Sequence, residues 1–200
     1  MKERHDHEVA GPALVSVEAH MFFLAEEPGT ADRSPVTPHN GLVYTNHPSV
    51  TTIVTTIVTG IASGDVTVTT ETRQDAPATV DLDGWEEVID HSLPAPLGAV
   101  RILTLEDGPA DLPSLTPYGP GPYRLRVHAR GRDIAYDGVT FEPVEDYHLI
   151  TWPAPRTPDH IHRQTDQAGA SWRLAVQRSA ARPPTPSEPP RQRQRPPSGT

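Results

Sequence analysis

The chain has 200 residues, a net charge of −9 and no cysteine. The missing cysteine excludes a disulfide framework and any Cys-based zinc or redox site. The length predicts one domain with extensions. Charge is uneven: residues 179–200 carry +3, so the rest carries −12. An acidic body argues against nucleic-acid binding by the folded domain and favours a basic partner, or plain solubility.

The N-terminus has charge but no apolar run and no cleavage-type sequence, so no signal peptide is expected. No stretch approaches the ~18 apolar residues of a spanning helix. The expectation is a soluble, cytoplasmic protein with no membrane partner.

Residues 1–12 are polar and broken by Gly11-Pro12, and are expected to be flexible. Leu14–Leu24 alternates, with Val15, Val17, Ala19, Met21 and Phe23 on one face, and reads as one strand. Residues 25–40 hold three prolines and read as a loop. Leu42–Tyr44 is a short strand. Val50–Thr59 is entirely Val, Ile and Thr. The doubled Thr-Thr-Ile-Val could imply a helical step, but β-branching favours a strand. Gly60 and Gly64 bracket a turn into Asp65–Arg73, and the two segments are expected to pair as a hairpin. Trp85–Leu93 and Ala99–Leu105 are further strands. Glu106–Pro122 is a loop, Tyr123–Ala129 a strand, and Tyr147–Trp152 a last strand stopped by Pro153 and Pro155.

About eight short strands and no long helix predict an all-β domain over residues 13–155, an antiparallel β-sandwich of jelly-roll type. Residues 156–178 form an extension, partly helical at Gln164–Arg178. Residues 179–200 are rich in Pro and Arg, with nothing apolar to bury, and are expected to be disordered.

Tyr123–Arg132 is the most distinctive segment. Alternation aligns Arg124, Arg126, His128 and Arg130 on one face, continuing into Arg132 and Asp133. Such a row can grip phosphate or carboxylate bidentately. It can equally pair with Glu71, Glu86 or Asp90 across the sheet, and the acidic body favours that reading. Trp85 and Trp152 sit at strand ends and fit core and rim packing better than ligand stacking. Asp159, His160 and His162 with His148 have metal-ligand chemistry, but they lie beyond the Pro155 stop, so no metal is expected. Glu142, Glu145 and Asp146 read as a solvated acidic loop. No nucleophile elbow, Walker loop, GxGxxG or His-Glu-x-x-His occurs, so no catalytic residue and no cofactor are assigned.

Three phrases occur together: Gly84-Trp85-Glu86-Glu87-Val88, then Gly121 to Asp133, then Glu145-x-Tyr147 leading to Trp152-Pro153-Ala154. The set resembles a group of uncharacterised bacterial β-rich proteins of about this length. The chain is also similar to the competence protein J (nuclease inhibitor) family. That similarity rests on His20-Met21-Phe22, on Gly121-Pro122-Tyr123-Arg124-Leu125 and on a late Trp near Pro. It implies a β-sandwich over about Leu14 to Pro155 that binds and neutralises a nuclease. The Arg-rich Arg124–Arg132 departs from that family's pattern.

The functional expectation is a non-enzymatic protein-binding module, of inhibitor or immunity type, with a partner that is basic. The alternative is a sandwich that binds a small molecule or glycan. Contact residues would be Arg124, Arg126, His128, Arg130, Arg132, Asp133, Trp85 and Trp152. Oligomeric state is not legible.

Overall fold

The computed structural model describes residues 7–26, 37–47, 53–104 and 108–181. Among these are ten strands and one helix. The strands are β1 (His7–Glu18), β2 (Met21–Glu26), β3 (Val43–Asn46), β4 (Val54–Val58), β5 (Ser63–Arg73), β6 (Glu87–Ala95), β7 (Val100–Leu103), β8 (Gly121–Arg130), β9 (Asp146–Pro153) and β10 (His160–Gln164). The helix α1 is Gln167–Ala181. No helix of the described residues is long and apolar enough to cross a membrane.

The mostly β class matches the sequence; the architecture differs from a sandwich. One continuous sheet runs β10-β6-β8-β9-β5-β1-β2-β4-β3, with β7 also on β2. It curls into a half-barrel until β3 at one end touches β6 near the other. A single curled sheet can bury one face against itself, so no second sheet is needed. The inner face holds Val15, Val17, Phe22, Ile57, Val66, Val68, Ile89, Leu93, Leu125, Val127 and Leu149. A smaller cluster of Met21, Phe23, Ala25, Val54 and Leu103 lies apart from it. The ladders are antiparallel except β5 with β9, which is parallel.

Three local expectations fail for identifiable reasons. Leu14–Leu24 is two strands. Ala19 and His20 take positive φ (51° and 65°) and reverse the chain between β1 and β2. Neither is the Gly or Asn usual there, so the alternation ran through the turn unmarked. β4 and β5 do not pair as a hairpin. β4 lies on β2 and β3, and β5 on β1 and β9. The Gly60–Gly64 link crosses the β1–β2 turn instead, where His20 N donates to Ala62 O and Thr59 N to His20 O. Finally, the ladder starts at His7 and continues past Pro155. His7–Ala10, within the segment expected to be loose, pair with β5 ahead of a bulge at Gly11-Pro12, and β10 pairs with β6. Residues 182–200, most of the Pro/Arg tail, lie outside the described residues.

Candidate functional site: a covered arginine layer, a polar seam and an apolar loop

The alternation of β8 is as expected, but both of its faces are buried from Tyr123 to Ala129. Arg124 and Arg126 are 6% and 5% exposed. Arg126 grips the Asp90 carboxylate on β6, Nε to Oδ1 at 2.6 Å and Nη2 to Oδ2 at 3.0 Å. Burial would raise the Asp90 pKa. The Arg126 fork and the adjacent His162 outweigh burial and hold it below the usual carboxylate range. Arg124 donates to Ser92 Oγ and to the carbonyls of Asp90, Thr157 and Pro158.

His128 stacks on His148 and reaches the Asp81 carbonyl. Burial, then the neighbouring His148, push its pKa down to about 4. Trp85 packs against His128 and lies under Arg130, and Trp152 packs on Arg126. Arg130 pairs with Asp146 at the surface. The row is thus a paired layer roofed by the chain around Thr79–Trp85 and Thr157–Pro158. Pairing with Asp90 is the anticipated contact; pairing with Glu71 or Glu86 does not occur.

Arg132 leaves this layer altogether. It is fully buried inside the half-barrel, donating to Asp166 Oδ2 at 2.8 Å and to Gly41 O at 2.9 Å. Glu87, Glu145 and Tyr147 surround it. Glu145, expected on a solvated loop, is 1% exposed. It accepts from Tyr147 Oη and from the Gly60 and Ile61 amides. Asp133 caps α1, accepting from the Gln167 and Ala168 amides. The predicted contact residues are therefore split between an outer layer, the interior and a helix cap.

Polar side chains also close the half-barrel where no backbone ladder does. Across the seam between β3 and β6, His91 Nε2 lies 2.8 Å from Thr45 Oγ1. His91 Nδ1 lies 2.7 Å from Asp159 Oδ1, and Asn40 Nδ2 donates to Asp159 Oδ2 at 2.6 Å. Burial raises the Asp159 pKa, but His91 and Asn40 outweigh it and keep the carboxyl below its ordinary value. Beside this array is an open cleft of about 400 Å3, walled by Thr45, His47, His91, Ser92, Arg156 and Asp159 among others. A larger cleft, about 530 Å3, lies between His7–Val9 and Pro117-Tyr118 and gathers no such array. Sequence reading passed over the seam because Thr45, His91 and Asp159 lie on separate segments. Asp159 drew attention only as a metal ligand, beside His160 and His162.

The third feature is the loop after β8. Ile134, Tyr136, Val139 and Phe141 are 71%, 50%, 67% and 95% exposed. The loop is nonetheless fastened. Asp137 N donates to Gly60 O, Ala62 N to Gly138 O, Thr140 N to Ser63 O, and Gly138 N to Ala135 O. His20 Nε2 sits 3.1 Å from Asp137 Oδ1. Between Asp133 and Pro155 there is no Lys or Arg.

No family model and no curated protein matches the chain. A solved structure titled "Crocagin biosynthetic gene J" is similar at 19% identity, covering 74% of this chain and 99% of that chain, with a TM-score of 0.39. That likeness is too loose to carry a shared fold or role.

Proposed function

We propose that the chain is a protein-binding module and that the loop Asp133–Glu142 is its contact surface. One observation carries the reading. A pinned loop holds Phe141 almost fully in water and leaves Ile134 and Val139 mostly exposed. Large apolar groups gathered on one exposed element mark interaction sites. A pre-ordered loop also spares the ordering cost that binding otherwise incurs.

The occupant is a protein with an apolar cleft rimmed by basic residues. Phe141 and Tyr136 are the anchors. Asp137, Glu142 and the −12 body supply the complementary field, which speeds encounter at low salt. The arginine row of β8 is a poor rival contact surface. Arg124 and Arg126 already spend their guanidinium donors inside the chain.

The test is capture from native lysate with the full chain, at low and high salt, beside a Phe141→Asp chain. A stoichiometric partner that the parent holds, that weakens with salt and that Phe141→Asp loses supports the reading. A partner held equally by Phe141→Asp, a salt-insensitive partner or an empty capture overturns it. So does retention by anionic vesicles alone, which would make the loop a membrane contact.

A further inference from the structure

A carboxylate, an imidazole and a hydroxyl meet at the seam in the order that nucleophilic acyl transfer uses. The ionised Asp159 carboxylate can only accept, so its Oδ1 accepts a hydrogen bond from His91 Nδ1–H at 2.7 Å. With the imidazole neutral, Nε2 carries a bare lone pair, and Thr45 Oγ1, 2.8 Å away, donates to it. The ends of the array are fixed as well. Asn40 Oδ1 accepts from the Leu42 and Val43 amides at 2.9 Å each, which turns its Nδ2 onto Asp159 Oδ2. Thr55 Oγ1 lies 2.8 Å from Thr45 Oγ1. With the Thr45 proton committed to His91, the Thr55 hydroxyl is the donor there. With His91 neutral, donors and acceptors alternate consistently through Asn40, Asp159, His91, Thr45 and Thr55.

Two features exceed what a tie between strands requires. Thr45 and His91 line an open cleft rather than packed core. Arg156 lines the same cleft and has no ion pair among the described residues.

We propose that this cleft is a hydrolytic site for small carboxylic esters, with Thr45 as nucleophile, His91 as base and Asp159 as the group that orients the imidazole. A cleft near 400 Å3 is at the small end of ligand sites, which limits the acyl group. In the first half-reaction Thr45 Oγ1 bonds to the acyl carbon and its proton moves to His91 Nε2. The carbonyl oxygen takes the negative charge, with Arg156 as the cation on the cleft wall. Collapse breaks the bond from carbon to the leaving oxygen, and His91 returns the proton to the departing alcohol. Water then repeats the sequence on the acyl-threonine. It loses a proton to His91, releases the acid and restores the Thr45 hydroxyl.

The probe is p-nitrophenyl acetate with the full chain, following nitrophenolate release and the intact mass. The expected result is a burst and a single acetyl adduct on the peptide that carries Thr45. Thr45→Val removes the hydroxyl at nearly constant volume and should abolish both. Thr45→Ser should keep both, and His91→Gln should slow acylation by roughly 100- to 10,000-fold. No release above buffer, an adduct elsewhere, or a Thr45→Val chain that turns over like its parent overturns the proposal. Should Thr45→Val fail to fold, the parent adduct and its loss in His91→Gln decide. A parent without turnover whose variants only melt earlier assigns the array to strand tying, which also overturns it.

Discussion

Arg126 and Asp90 lie directly opposite each other on β8 and β6 and share two parallel hydrogen bonds beneath the Thr79–Trp85 segment. Removing one member of such a pair strands the other charge out of water. Arg126→Ala should therefore cost about 3–5 kcal/mol. Arg126→Met combined with Asp90→Leu should recover part of that loss, because no charge is then left alone. Urea denaturation of the three chains checks this. An Arg126→Ala chain as stable as its parent would return the arginine row to the list of ligand-binding surfaces.

The exposed loop predicts the opposite profile. Phe141→Ser touches a side chain that is 95% exposed, so it should shift stability by no more than about 0.5 kcal/mol. Gly60→Ala, at the loop's anchor, should be severe. A Cβ there would overlap the backbone carbonyl oxygen of Arg132, and neither segment can yield without moving the buried Arg132–Asp166 pair. Thermal melts of both variants separate the loop's display from its support.

Sequence legibility follows the range of each signal. The period-two alternation of Tyr123–Ala129 is a property of adjacent residues, so β8 and its arginine row were readable. Charge pointed to an acidic partner across the sheet, Glu71, Glu86 or Asp90, and only the register selects Asp90. The Ala19-His20 reversal was not readable, because it depends on the Gly60–Ala62 segment docking on it rather than on turn residues of its own. β10 was hidden by Pro155 and Pro158. These prolines follow the end of β9 at Pro153, and the chain they interrupt runs on to the free edge of β6, where His160–Gln164 pairs. The seam lies further from reach. Its three functional groups meet only because ten strands curl far enough to bring β3 to β6, and no local pattern encodes that closure.

Acid should unfold the chain through His128. Its folded pKa of about 4 lies below the unfolded value near 6.5 because burial penalises the imidazolium. Between those values the unfolded state binds more protons, so stability falls as pH drops from 6.5 toward 4 and levels off below. The loss is on the order of 3 kcal/mol. His128→Gln should flatten that part of a stability-against-pH curve measured in urea. A curve unchanged by the substitution would place the acid sensitivity elsewhere, with His148 next to examine, since burial lowers its pKa too.

Base should act through Glu87. Its side chain is fully buried on the inner face, and its pKa is pushed up to about 8, first by burial and then by the charge of Asp166. The nearby Arg132 and Arg173 pull the other way but do not prevail. At neutral pH Glu87 therefore keeps its proton, and a protonated carboxyl can donate to the Asp166 carboxylate where an ionised one would repel it. The folded state holds this proton more tightly than the unfolded chain does. The stabilisation is complete below pH 4.5 and is lost as pH rises through about 8. Glu87→Gln puts a permanent donor of the same shape beside Asp166. It should match the parent at pH 4.5 and exceed it at pH 9, with the difference growing from pH 4.5 to about 8 and level above. Denaturation at both pH values measures it. Equal stability at pH 9 would mean that Glu87 is ionised when folded and that Arg132 and Arg173 hold the charge.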